Sequence, residues 1–219
     1  MYSGGRFASA GSLLLSIILT CSPYGVWGVN PPDFTYQVQN YPNVIDSKEQ
    51  CLPLNGNYVH QNTFVCDPFR LLTVDQINRL NTLLQDDYGR DGSQCSMTNP
   101  NPLIGVALVN RLKVGNESPD RLLDYASIFA YYLFRQWNLP FICQTGSDKM
   151  IIFYSKDDGV LYTFGGDLIQ RKISSQQLID IAVQSRAYFS NGIYEGLAYL
   201  IQQYKNSIST GRTDLFGNT

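Results

Sequence analysis

The stretch Leu103-Ile104-Gly105-Val106-Ala107-Leu108-Val109 decides the fold. Its seven residues are apolar or small without interruption and bounded by turn residues, the pattern of a strand covered on both faces. After it, Ser118 offers a capping hydroxyl and Pro119 suits the first turn of a helix. Leu122, Tyr125, Ala126, Phe129, Tyr132 and Leu133 then recur at helical spacing as far as Trp137, where Asn138-Leu139-Pro140 stops the helix. Met150-Ile151-Ile152-Phe153-Tyr154 is a second buried strand. A helix joining two such strands predicts a parallel crossover.

The pattern continues on both sides of this unit. Upstream, Phe64-Val65-Cys66-Asp67-Pro68 reads as a short strand or bridge stopped by proline. Thr73 and Gln76 form a capping box for a helix whose stripe is Val74, Ile77, Leu80, Leu83 and Leu84. Downstream, Asp157-Asp158-Gly159 turns the chain into Val160-Leu161-Tyr162-Thr163-Phe164, a hairpin, and Gly165-Gly166-Asp167 is a tight turn. Two helices follow, over 175–189 and 191–204. The predicted fold is therefore α/β, a sheet of about four strands with helices packed on it.

The chain has 219 residues and a hydrophobic fraction of 44%, enough for one cored domain. Net charge is −2, from 16 basic and 18 acidic residues, which leaves no electrostatic footprint for nucleic acid. At the N-terminus, Arg6 precedes the run Leu13-Leu14-Leu15-Ser16-Ile17-Ile18-Leu19, with small residues at Val26-x-Gly28. That run is too short for a membrane span of about 20 residues and reads as a secretory signal peptide over 1–28. An uncleaved anchor is the competing reading, weakened by Pro23 and Gly25. Residues 29–50 are rich in Pro, Asn, Tyr and Asp and read as an extended polar arm. The domain proper is placed at 51–205 and a flexible tail at 206–219. A secreted or extracellular location follows.

Cys21 falls in the leader, leaving Cys51, Cys66, Cys95 and Cys143, whose spacings lack zinc-site geometry and suit disulfides. Cys95 and Cys143 precede neighbouring strands at the same end, so the layout favours Cys95–Cys143 and leaves Cys51–Cys66. Asn116-Glu117-Ser118 is a glycosylation sequon followed by Pro119. The single histidine, His60, lies in an irregular region and gives a Ser–His–Asp or Cys–His site nothing to build on. No phosphate-cradling glycine motif occurs, and no catalytic constellation is assigned. With 15 Tyr and 11 Phe, the Tyr-rich helices Tyr131, Tyr132, Tyr188, Tyr194, Tyr199 and Tyr204 and the polar arm are the better functional candidates, since Tyr is favoured at interfaces.

These elements, in this order, resemble the TPM domain, and within it the nematode modulator of levamisole receptor group. The features that carry the resemblance are Phe64-Val65-Cys66-Asp67-Pro68 with Leu71-Leu72-Thr73, Tyr125-Ala126 with Trp137, Phe164-Gly165-Gly166-Asp167, and Phe189-x-Asn191-Gly192-x-Tyr194-Glu195-Gly196-Leu197. The likeness covers about residues 51 to 205. It implies a three-layer α/β/α sandwich with a mixed sheet, and an extracellular module that assists an acetylcholine-gated channel, so the expected partner is a membrane receptor or channel ectodomain. The receptor modulator carries a transmembrane helix, whereas no segment after this domain reads as one. Plant relatives with acid phosphatase activity and calcium binding suggest the alternative of a Ca2+-assisted phosphatase. Its ligands would be Asp67, Asp157, Asp158 and Asp167, if these strand-end carboxylates converge. Asp-Asp-Gly and Asp-Pro are equally ordinary turn formers.

Overall fold

The computed structural model describes residues 16–18, 38–52, 63–85, 102–112, 119–137, 139 and 148–210. Five strands form one mixed sheet: β1 (Ser16–Ile18), β2 (Val65–Cys66), β3 (Leu103–Val109), β4 (Lys149–Ser155) and β5 (Val160–Gly165), in the order β1-β5-β4-β3-β2. β2, β3 and β4 run parallel, while β5 is antiparallel to both β4 and β1. Four of these strands are those predicted. β1 is a surprise, because its residues lie inside the stretch read as a leader.

The helices are α1 (Lys48–Cys51), α2 (Val74–Gln85), α3 (Pro119–Gln136), α4 (Asp167–Lys172), α5 (Ser175–Phe189) and α6 (Ile193–Thr210). The capping box opens α2 as predicted: Thr73 N–H donates to Gln76 Oε1 and Gln76 N–H to Thr73 Oγ1. Ser174 and Gln177 form a second box at α5. Gly165-Gly166-Asp167 leads into α4, a helix too short to leave a sequence period. α6 continues to Thr210, past the predicted start of the tail, because Tyr204, Lys205 and Ile208 still bury themselves against the domain.

The register sorts side chains to the two faces, since paired residues share a face. Phe153 packs on Phe129, with ring centroids 4.6 Å apart, and Phe164, the partner of Ile151, lies 4.8 Å from Phe134, so α3 covers this face. On the opposite face, Tyr154 stacks on Phe189 of α5 at 4.8 Å and Thr163 bonds to the Tyr204 hydroxyl of α6 at 3.0 Å. The Lys205 ammonium of α6 donates to the Leu83 carbonyl of α2, which fixes α2 on that side too. The result is a three-layer α/β/α sandwich. Among the described residues, no helix is long and apolar enough to cross a membrane.

One helix is a thin cover for a face this wide, and the chain completes it with residues predicted to form a loose arm. Residues 38–52 pack onto the domain, with Tyr41, Val44, Cys51 and Leu52 buried. The Tyr41 ring stacks 6.2 Å from Trp137 and meets Phe129 edge-on at 5.3 Å. Trp137 Nε1 donates to the Pro42 carbonyl at 3.0 Å. Gly105 leaves room for the Trp137 ring: a Cβ there would lie 3.1 Å from it. Buried Tyr and Trp require partners for their polar tips, and Trp137 finds one on Pro42, the residue after Tyr41.

The Tyr41 hydroxyl also enters the sheet. Val106 N–H donates to the Phe64 carbonyl at 2.8 Å, and the parallel ladder would continue as Leu108 N–H to Cys66 O. Instead Leu108 N–H donates to the Tyr41 oxygen at 3.0 Å, and that hydroxyl sits 2.9 Å from the carbonyl oxygens of Cys66 and Leu108. A side chain thus replaces a backbone rung and ends β2. The Cys51–Cys66 disulfide, S–S 2.10 Å, ties the same segment to the same strand. Cys95 and Cys143 lie outside the described residues.

Replacing Tyr41 by Phe keeps the ring and removes the rung. The expected loss is about 1–3 kcal/mol, the usual cost of stranding buried backbone groups, seen as a lower urea midpoint at unchanged slope. Replacing Cys51 and Cys66 together by Ser opens a loop of sequence separation 15 and should cost about 3 kcal/mol in the same assay.

Candidate interaction surface

The buried polar groups come first, because a catalytic or metal site would be made from them. Asp67 follows β2 and is fully buried. Its two carboxylate oxygens accept from Leu71 N–H at 3.0 Å and Leu72 N–H at 2.7 Å. The carboxylate therefore folds the turn into α2, where Arg70 takes a left-handed φ of 59°. Burial pushes the Asp67 carboxyl above its ordinary value of 3.8, against the lowering effect of those backbone donors.

Asp158 sits in the β4–β5 turn, where Gly159 takes φ 60°. Its Oδ2 accepts from Ser155 Oγ at 2.6 Å and from Leu112 N–H at 2.7 Å, which ties the turn to the segment leaving β3. Asp157 is exposed, and its N–H donates to the Asn110 carbonyl at 2.7 Å. Asp167 is exposed too, in the first turn of α4. Gly166 N–H bonds to Lys149 O, so Asp167 lies at the start of β4, while Asp67, Asp157 and Asp158 lie toward its far end. At about 3.3 Å per residue, the seven-residue strand separates those ends by roughly 20 Å. The structure does not bring the four carboxylates together. Among the described residues, no three His, Cys, Asp or Glu side chains gather closely enough to hold a metal ion. His60 and Asn116 lie outside the described residues.

Lys149 opens β4 under the end of α3. Its ammonium donates to the Trp137 carbonyl at 2.9 Å and lies 4.7 Å from the Phe134 ring centre. A cation at the C-terminal end of a helix complements the dipole there. Burial, reinforced by Arg135, lowers Lys149 to about 8. Its neighbour Asp148 is raised, again mainly by burial. Lys149 thus ties the end of α3 to β4.

What remains is surface. α3 turns Phe129, Ala130, Leu133 and Ala126 inward, all buried. One turn apart on its outer side stand Tyr125 (41% exposed), Ile128 (58%) and Tyr131 (49%). Arg121, Asp124 and Arg135 are exposed on the same helix. Tyr131 is braced edge-on against Phe164 at 5.3 Å. An apolar stripe bordered by charges is the anatomy of a protein contact, and Tyr is enriched there. A second exposed pair, Val183 and Tyr188, lies on α5, with Tyr188 stacked on Tyr199 at 3.9 Å. Of the other tyrosines singled out in the sequence, Tyr132 and Tyr194 are half-buried and Tyr204 is a core residue. Helical periodicity could not separate these cases, because Tyr serves equally as core and as surface.

The Asp67 carboxyl gives a pH prediction. A carboxyl raised on folding favours the fold while protonated, so its contribution is present below 3.8 and is lost as pH rises through the higher folded value. The stability of the native chain relative to Asp67→Asn should therefore be greatest in acid and fall across that window, as measured by denaturant titration at a series of pH values.

No curated protein matches the chain. The family described as Modulator of levamisole receptor-1 matches residues 36–159, which takes in the packed segment before β2, the β2–α2–β3–α3–β4 core and the β4–β5 turn. That span is more than half of the chain, and the chain belongs to the modulator of levamisole receptor family.

Proposed function

We propose that this domain is an extracellular, non-enzymatic module that docks on an acetylcholine-gated channel of the levamisole-sensitive kind and modulates its response, with the outer face of α3 as the contact. Family membership supports the type of partner. The observation that supports the place is the Tyr125–Ile128–Tyr131 stripe, exposed on a helix whose inner face is locked by Phe129, Leu133 and the Trp137–Tyr41 cluster. A rigid helix presents its side chains without an ordering cost on binding, which favours affinity. The buried Asp67 and the half-buried Asp158 are engaged in holding turns, which supports a reading by shape and surface.

Ile128→Asp should leave stability within about 0.5 kcal/mol, as expected of an exposed site. It should weaken capture of the channel's extracellular domain at least about tenfold, a loss of about 1.4 kcal/mol. Tyr131→Ala should act in the same direction. Val183→Asp, on the opposite layer, should leave capture unchanged. Equal capture by all three variants would remove α3 as the contact.

A further inference from the structure

α5 and α6 form a helical hairpin joined by Ser190, Asn191 and Gly192. Gly196 lets the two helices close up, since a Cβ there would overlap the Phe189 ring. The outer surface of the hairpin carries two tyrosines in face-to-face contact. Tyr188, exposed on α5, stacks on the half-buried Tyr199 of α6, with ring centroids 3.9 Å apart and planes within 12° of parallel. That separation is van der Waals contact between the two π faces, which for carbon atoms falls at about 3.5–4.0 Å. The Tyr199 hydroxyl donates to Gln184 Oε1 at 3.0 Å, one turn before Tyr188 on the same helix. α5 thus holds the Tyr199 ring by its face and by its tip. On their inner side the same two helices grip the sheet, Phe189 through Tyr154 and Tyr204 through Thr163.

We propose that Tyr188 and Tyr199 are an oxidative cross-linking site. A one-electron oxidant of the haem-peroxidase class, fed by hydrogen peroxide, joins the two phenols there as an intrachain dityrosine that staples α5 to α6. Each phenol loses one electron and its hydroxyl proton. The resulting phenoxyl radicals carry unpaired spin on the ring carbons next to the oxygen, in orbitals perpendicular to the ring. Faces in parallel contact point those orbitals at each other, and one carbon–carbon bond forms between an ortho carbon of each ring. Each of those carbons then loses its hydrogen as a proton while its oxygen regains one, which restores both phenols. In all, the chain loses two electrons and two protons, which reduce one hydrogen peroxide to two waters. The exposure of Tyr188 lets the oxidant act at the surface. Holding the rings in contact favours this coupling over reaction between chains. The inference rests on this pair alone and holds whether or not α3 meets a channel.

The test treats the folded full chain, in dilute solution, with a haem peroxidase and hydrogen peroxide, a mixture first shown to couple free tyrosine with and without urea. A monomer with the blue fluorescence of dityrosine is expected, and its peptide map should place the loss of two hydrogens on Tyr188 and Tyr199. Tyr188→Phe and Tyr199→Phe each keep the ring and remove a phenol, and each should lower the yield of monomeric dityrosine at least about tenfold. Tyr194→Phe, elsewhere on α6, should leave the yield unchanged. Unfolding the chain in urea before oxidation should lower the yield of the pair to a similar extent, because the fold and not nearness in sequence sets the rings face to face. The proposal is overturned by an absence of dityrosine in the folded chain, or by a map that joins other tyrosines instead. An equal yield of the pair from the unfolded chain overturns it too.

Discussion

The hydroxyl of Tyr41, set between Leu108 N–H and the Cys66 carbonyl, is the contact on which the α3 side of the molecule depends. Its ring stacks on Trp137, and Trp137 in turn bonds to the Pro42 carbonyl. The Trp137 carbonyl takes the Lys149 ammonium. One chain of contacts therefore runs from the segment before the first parallel strand, through the end of α3, to the start of β4. Without it, a single helix would have to cover that face of the sheet by itself. The Cys51–Cys66 disulfide secures the same segment covalently, ten residues further along. The family match begins at residue 36, ahead of this clamp.

A consequence of this construction is that polar burial serves the backbone. Asp67 closes the turn into α2, Asp158 fastens the hairpin to the end of β3, and Lys149 caps α3. Each has hydrogen bonds that fix a chain reversal or a helix end, and for the buried Asp67 and Lys149 such bonds are how burial is tolerated. Their partners are backbone amides and carbonyls and, for Asp158, the Ser155 hydroxyl. The exposed Tyr125, Ile128 and Tyr131 stand on a well-anchored helix.

Much of the fold was legible in the sequence because its central unit follows simple periods. Leu103 to Val109 and Met150 to Tyr154 are continuous apolar runs, Ser118-Pro119 and Thr73-x-x-Gln76 are local start signals, and Asp157-Asp158-Gly159 is a local turn. What escaped were features made by distant residues. Nothing near Tyr41 announces that its hydroxyl will meet a strand 67 positions away, and a polar, proline-bearing segment looks like a loose arm until its few apolar residues find the sheet. α4 is six residues long, below any readable period. β1 was hidden because an apolar run of that length reads equally as a leader and as an edge strand. Of the candidate site, the acidic residues were visible as strand-end carboxylates, yet the strand directions that part Asp167 from the others follow only from the pairing. The α3 stripe was half visible: Tyr125 fits the inward period by sequence and turns out to stand on the outer side.

The measurement closest to the central claim is the agonist-evoked current through a levamisole-type acetylcholine receptor, recorded with and without this chain co-expressed, with secretion of the folded chain verified. A reproducible change in current, absent when Tyr125, Ile128 and Tyr131 are replaced together, is the result the proposed docking on α3 predicts. An unchanged current with the folded chain present would contradict it, leaving the family fold in place and the channel as the wrong partner.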